Sequence, residues 1–309
     1  MRRILVVYNP RSSRFADVRN EVFPKIRNLK GYIVGKYEVK PTDVDRNIAT
    51  LSEIIQDDDI VISAGGDATG VIAANAIMCS AKSATLAALP YGNFNDLSRT
   101  LRTKKLEDVF IIGKTRREKI RNNKLYPLDI IVDGKHWRYA TCYVTIGMTA
   151  EAVKLYDDKK VRHKLKTGFG RQIISYTTLA SWYFKHRHKH NFIPEFKLNG
   201  ITQHPATSDY IALNGRSMAR IMKGGEDFIQ PKVFHHKTDR LASSFMRLAI
   251  LMFKSIFRRT PGTSTAGDII EFSSPATFTL QAEGESRRFE GVSKIEIRKA
   301  SNHIKIVQK

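Results

Sequence analysis

Ile60-Val61-Ile62-Ser63-Ala64-Gly65-Gly66-Asp67-Ala68-Thr69 is the stretch on which the fold turns. Its β-branched opening reads as a buried strand, and the apolar run Thr69–Met78 after it reads as a helix. A strand that ends in paired glycines and passes directly into a helix is the junction of a parallel sheet covered on both faces. Glycines let the backbone approach a phosphate closely, and a helix N-terminus offers free N–H groups and the positive end of its dipole. Asp67 and Thr69 serve equally well as caps of that helix, so the turn alone does not decide between an anion cradle and a capped junction.

The same alternation extends on both sides. Ile4–Tyr8, Tyr32–Val39, Asp59–Ser63 and Ala84–Leu89 read as strands, with helices at Val18–Leu29, Val44–Ile55 and Thr69–Met78. A second turn, Pro90-Tyr91-Gly92-Asn93-Phe94-Asn95-Asp96, follows the fourth strand. Ligands of open α/β sheets collect at the carboxyl ends of the strands, where both turns lie. From about Leu125 the texture becomes β-rich. Leu128–Val132, the turn Asp133-Gly134 and Trp137–Thr145 read as a hairpin. Further strands are expected at Phe192–Leu198, Tyr210–Asn214, Lys232–His235, Ile269–Phe272, Thr277–Ala282 and Lys294–Arg298. Helical insertions are expected at Gly168–Lys185 and Leu241–Arg258. The predicted organisation is an α/β nucleotide-binding lobe over 1–124 and a β-rich lobe over 125–295, with 296–309 returning to the first as the strand Ile304–Val307.

With 309 residues the chain can bury two cores. Its 52 Lys+Arg against 30 Asp+Glu leave a net charge of +22, which directs attention to polyanionic partners: nucleic acid, an anionic membrane or phosphorylated substrates. Two cysteines, Cys79 and Cys142, read as buried thiols in a reducing compartment. No apolar run reaches the ~20 residues that span a bilayer, and Met1-Arg2-Arg3 precedes a run too short for a signal core. The expected location is cytoplasmic, with peripheral membrane association. Lys154–Lys166 and the run 185–190 flank a helix carrying Tyr176, Trp182, Tyr183 and Phe184. With Leu241–Arg259, these read either as solvated cationic faces or as surfaces for anionic lipid.

Six segments in register resemble the diacylglycerol kinase catalytic-domain family, within the superfamily of bacterial lipid kinases, sphingosine kinases and NAD kinases. Gly65-Gly66-Asp67-Ala68-Thr69 resembles its GGDGT motif, and Pro90–Arg99 resembles PxGTxNDFAR. Asn9-Pro10-Arg11-Ser12-Ser13 is similar to NPxSG, and Thr145–Glu151 to SIGFDAE. Arg162–Tyr176 resembles the basic helix of the family, and Ala282-Glu283-Gly284-Glu285 stands where the family has DGE. The resemblance spans roughly residues 3–300.

It implies an NAD-kinase-like α/β N-terminal lobe and a β-sandwich-like C-terminal lobe, with the active site in the cleft between them. It also implies an ATP-dependent, Mg²⁺-dependent kinase acting on a lipid hydroxyl. By the same resemblance Asn9, Ser12, Gly65, Gly66, Asp67, Ala68, Thr69, Asn93 and Asn95 would hold the nucleotide. Glu285 would be the base, with Asp67 in reserve, and Asp67 and Asp96 would organise Mg²⁺. Glu226 and Asp227 stand nearest to the family's structural Mg²⁺ site. A lipid substrate and an anionic membrane are the partners implied, and a homodimer is an arrangement the family allows. Departures are Ala68, Asn93, Ser13, Thr149 and Glu283. Two other functions stay open: NAD-kinase-like phosphorylation of a soluble substrate, and non-catalytic polyanion binding. Nucleic acid is not expected, since the chain has no RNP aromatic pattern or zinc finger.

Overall fold

A computed structural model of the chain describes residues 2–40, 42–115, 123–147, 149–151, 177, 181, 193–203, 209–218, 222–223, 232–235, 246, 263–264 and 267–308. The chain divides into two compact units, Met1–Pro127 with Ser301–Lys309, and Leu128–Ala300. The return to the first unit therefore begins at Ser301, not at 296, because residues up to Lys299 are still paired with Leu128 in the second unit.

Among the described residues the first unit contains a six-stranded sheet. Its strands are β1 (Arg2–Tyr8), β2 (Tyr32–Glu38), β3 (Ile60–Gly65), β4 (Thr85–Pro90), β5 (Lys124–Leu125) and β18 (Ile304–Ile306), in the order β2-β1-β3-β4-β18-β5. The pairings β1–β2, β1–β3, β3–β4 and β4–β18 are parallel, and β5 closes the edge antiparallel to β18. The central strands are continuously apolar because both faces are covered. On one face Ile4, Val6, Ile60, Ile62 and Leu89 pack with Val18, Val22 and Ile26.

The helices are α1 (Phe15–Asp17), α2 (Phe23–Arg27), α3 (Val44–Ile54), α4 (Asp67–Ser80), α5 (Asp96–Leu101) and α6 (Leu106–Thr115). Where the sequence predicts one helix over Val18–Leu29, a π turn at Val18–Val22 separates α1 from α2. Pro24 lies in the first turn of α2 and has no amide to bond backwards, which favours a widened turn just before it. Helix α4 buries every residue from Thr69 to Ile77, as a helix between layers must, and its last turn leaves Cys79 exposed rather than buried as expected. Cys142 is buried, and neither cysteine forms a disulfide.

The second unit is built on β6 (Leu128–Val132), β7 (Lys135–Ala140), β8 (Tyr143–Gly147), β9 (Phe196–Leu198), β10 (Ile201–Gln203), β11 (Asp209–Leu213), β14 (Lys232–His235), β15 (Thr263–Ser264), β16 (Ile269–Ala282) and β17 (Glu285–Lys299). These form one antiparallel ten-stranded sheet among the described residues, and β12 (Ser217–Met218) pairs β13 (Met222–Lys223) separately. The strands expected at Ile269–Phe272 and Thr277–Ala282 are one long strand with register shifts between Glu271, Ala276 and Phe278. Pro275 lies in this irregular stretch and cannot donate to a ladder. Across it β16 passes from pairing with β9 to pairing with β8, the kind of bend by which a sheet folds over itself. A core of Leu128, Ile130, Val144, Phe196, Tyr210, Phe278 and Leu280 fills the interior.

The single strand expected at Trp137–Thr145 is instead β7 and β8, broken at Thr141-Cys142. The backbone of Cys142 is taken by other partners. Its N–H donates to the Glu283 carboxylate, and its carbonyl accepts from the amides of Asn214 and Gly215, both at 2.7 Å.

In the first unit Asn47 joins the end of β2 to α3. Its Oδ1 accepts from the Lys40 amide at 2.9 Å and the Tyr37 hydroxyl at 3.1 Å, and its Nδ2 donates to the carbonyls of Lys40 and Asp43. Asn47→Ala strands these groups in a buried place and is expected to cost about 2–3 kcal/mol, read as a loss of unfolding free energy in urea at an unchanged m-value.

Candidate functional site

The two glycine turns predicted to lie side by side do so, and they meet backbone to backbone. Gly65 ends β3, and Gly66 precedes α4 with φ −88 and no side-chain cap. A Cβ at Gly92 would fall inside the Cα of Gly66, whereas a Cβ at Gly66 would meet the Cα of Gly92 at an ordinary 3.5 Å. Thr69 is buried and folds over Gly65, where a Cβ would strike its Oγ1. Ala68 is exposed, and the amides of Thr69 and Gly70 bond regularly to the Gly66 carbonyl, so the methyl group is accommodated in a normal first turn.

Asp67 does not cap its own helix. Its carboxylate crosses to the second turn and accepts from three successive amides: Asn95 on Oδ2 at 2.9 Å, and Asp96 and Leu97 on Oδ1 at 2.6 and 3.3 Å. These are orphan donors of α5, whose own N-cap, Asn95, stands in the left-handed region (φ 59) and makes no cap bond with its side chain. The Asn95 side chain turns back to Gly92, accepting from its amide at 2.7 Å and donating to its carbonyl at 2.9 Å. Asn93 is half-buried in the same turn.

The loop after β1 joins this assembly. The Asn9 carboxamide oxygen accepts from the Arg11 amide at 2.8 Å, and Ser12 Oγ donates to the Tyr91 carbonyl at 2.8 Å. Arg14 donates to the Pro90 carbonyl at 3.1 Å and lies over the Tyr91 ring. Asn9, Ser12, Gly65, Gly66, Asp67, Ala68, Thr69, Asn93, Asn95 and Asp96 thus gather at the carboxyl ends of β1, β3 and β4.

Burial, followed by the neighbouring Asp96, pushes the Asp67 carboxyl up to about 7, against the three amides that pull it down. Asp96 is fully buried and its Oδ1 accepts from Arg99 at 2.7 Å. Asp96 thus acts on Asp67 through its charge, and the two carboxylates stand next to each other at the start of α5. Among the described residues no group of three or more His, Cys, Asp or Glu could hold a metal ion. Glu226 and Asp227 lie outside the described residues, as do Lys154–Lys166, the run 185–190, and Leu241–Arg259 apart from Met246.

Glu285 belongs to the second unit, as the first residue of β17. It is not a solvated turn residue: its side chain is 16% exposed, and Oε1 accepts from Arg138 Nη2 at 2.7 Å. Its Oε2 is buried with no hydrogen-bond partner among the described residues. Arg138, on β7, escapes a sequence reading because a lone arginine in the alternating run Lys135–Ala140 looks like a solvent-facing strand position.

Residues 3–130 match the family model of the diacylglycerol kinase catalytic domain. The match agrees with the resemblance read from the motifs over that stretch, which contains both glycine turns. Solved structures agree over the length of the chain. A diacylglycerol kinase from Bacillus anthracis str. Sterne superposes with a TM-score of 0.62 at 15% identity, covering 99% of this chain and 97% of that one. A protein provisionally assigned as a diacylglycerol kinase from the same organism gives 0.63 at 14% identity with the same coverage. At these identities they show a shared fold. Among curated proteins nothing matches.

Two outcomes test the turn assembly. Gly92→Ala is expected to cost about 3 kcal/mol of unfolding free energy, and Gly66→Ala less than about 1 kcal/mol, because only the first forces two backbones apart. The raised carboxyl of Asp67 favours folding in its protonated form. That contribution is fully present below 3.8 and lost as the pH rises through about 7. The unfolding free energy of the ligand-free chain should fall across this window, with the slope reduced in Asp67→Asn.

Proposed function

We propose that the chain is an ATP-dependent lipid kinase, transferring the γ-phosphate of ATP to a lipid hydroxyl at an anionic membrane surface. The observation that carries this reading is the three-amide cap of Asp67, which fixes the two glycine turns against each other within the stretch matched by the kinase family. Close backbone approach at Gly66 and Gly92, with the N-terminus of α4 beside them, suits a polyphosphate. Asn9 and Ser12 add side-chain polar groups from the third loop.

The chemistry of the donors fits Mg²⁺, which binds through one or two carboxylates together with phosphate oxygens and waters. Asp67 would hold it, and the charge of Asp96 behind Asp67 leaves excess negative charge that a cation relieves. When bound, Mg²⁺ neutralises charge developing on the transferred phosphoryl group. A bond forms between the acceptor oxygen and the γ-phosphorus while the bond from that phosphorus to the β,γ-bridging oxygen breaks. The proton of the acceptor hydroxyl passes to Glu285, whose Oε2 is the oxygen not engaged by Arg138. A basic chain of net charge +22 favours an anionic surface as the place where the acceptor is met. No helix among the described residues is long and apolar enough to cross a membrane.

The test is γ-labelled ATP with a lipid extract, with NAD and with no acceptor. Label is expected in the organic phase, with turnover about 100-fold lower in Glu285→Gln and strongly reduced in Asp67→Asn. Label on NAD alone identifies a soluble-substrate kinase, and label on neither acceptor overturns the kinase reading.

A further inference from the structure

The turn between β16 and β17 is two residues long, Glu283-Gly284, closing the pair Ala282–Glu285. Both central residues have positive φ, 46 and 92, as the tight hairpin turn requires. Gly284 takes such a backbone freely, but a glutamate in the left-handed region is uncommon and strained. Asparagine or glycine would suit this turn better. Glu283 is also completely buried, although hairpin turns are normally solvated. Strain and a buried carboxylate at one position call for a compensating contact and direct attention to function.

The contact is the strand break at Thr141-Cys142. The Glu283 carboxylate accepts from Thr141 Oγ1 at 2.6 Å and from the Cys142 amide. That break is held from its other side by the third segment, Asn214-Gly215. Asn214 Nδ2 donates to the Thr141 carbonyl at 3.0 Å, and a Cβ at Gly215 would press on Cys142 at 2.9 Å. The turn is thereby bonded through its own side chain to a buried part of the sheet. Two residues further on, Arg138 clamps Glu285. The arginine side chain is only 5% exposed and lies against the Trp137 ring, whose edge meets Phe289.

We propose that Arg138 and Glu283 are positioning residues for Glu285. Glu283 fixes the turn that carries it, and Arg138 engages Oε1, which leaves Oε2 as the oxygen without a hydrogen-bond partner among the described residues. This rests on the reading of Glu285 as the group that takes the acceptor proton. A charge-assisted hydrogen bond at one oxygen restricts the rotation of the carboxylate, and restricted rotation is the geometric demand on a base that must meet one proton in one direction. Neither residue touches ATP or acceptor in this account, so both act through Glu285.

The experiment measures kcat and KM for ATP with mixed vesicles of diacylglycerol and phosphatidylglycerol, using the full chain and confirming its folding by thermal melt. Arg138→Met is expected to lower kcat about tenfold or more with KM for ATP changed by less than about twofold, and Arg138→Lys to recover part of the loss. Glu283→Gln should lower kcat in the same way, and Thr141→Val, which removes one donor and keeps the shape, should do so more mildly if Glu283→Gln does not fold. In a Glu285→Gln background Arg138→Met should cost nothing further, because its effect passes through the carboxylate. Unchanged kcat in the folded Arg138 and Thr141 variants would overturn the inference, as would the same fold-loss with Glu285 already removed. If Glu285→Gln itself turns over normally, the reading of the base falls and the inference with it. If Glu285→Gln is inactive while Arg138→Met is normal, the inference alone falls.

Discussion

Helix α5 begins from a left-handed residue, and such a start leaves the first amides of the helix facing outward without a cap of their own. Asn95 cannot close the turn, because its carboxamide is already folded back onto Gly92. The donors are satisfied by a carboxylate from another segment, that of Asp67. The consequence reaches beyond local stability. One carboxylate with three amide partners fixes the beginning of α4 and the beginning of α5 relative to each other, and with them the ends of β3 and β4. The close approach of Gly66 and Gly92 follows from this cross-bond. Without it, two glycine turns at neighbouring strand ends would be the loosest part of the sheet.

The rest of the first unit supplies the rigidity from which that bond is made. Parallel strands covered on both faces place the strand ends at one edge of the sheet. Ser12 reaches the carbonyl of Tyr91, and Arg14 that of Pro90, so the loop after β1 leans on the same turn. Burial and Asp96 hold the Asp67 proton affinity high, up to about 7, despite the amides. Asp67 thus carries a structural and an electrostatic role at once, and a neutral substitute keeps part of the first while abolishing the second.

Much of this was legible in the sequence where structure is periodic or locally encoded. The strands of the first unit, both glycine turns and the change to β texture near Leu125 are written in runs and turn residues close together along the chain. The cross-bond of Asp67 was not, because a sequence shows an acidic residue at a helix start and cannot show that it serves a helix 29 residues further on. The same limit hid Arg138, whose partner Glu285 lies 147 positions away. It also hid the strand break at Thr141-Cys142, where propensity alone favours a continuous strand and a remote carboxylate decides otherwise. The resemblance over six segments located Glu285, but the clamp upon it and the burial of Glu283 are properties of packing. Cys79 went the other way: an apolar-looking helix end proved exposed, since the covering layer stops a turn earlier.

Asp67 and Glu283 solve the same physical problem in two units of different architecture. Each is a carboxylate directed at a segment remote in sequence, Asp67 at three backbone amides and Glu283 at the Cys142 amide and the Thr141 hydroxyl, and each stands beside glycine in a turn. An amide is a fixed dipole, so a bond to it carries direction that an ion pair with a flexible lysine does not. An isosteric amide is therefore a poor substitute at Asp67, where Asn would turn its NH₂ toward an N–H donor that the carboxylate accepts from. At Glu283 the second partner is the Thr141 hydroxyl, which can also accept. Glu285 differs from both: its partner is the guanidinium of Arg138 on Oε1 rather than an amide, and its Oε2 has no hydrogen-bond partner among the described residues.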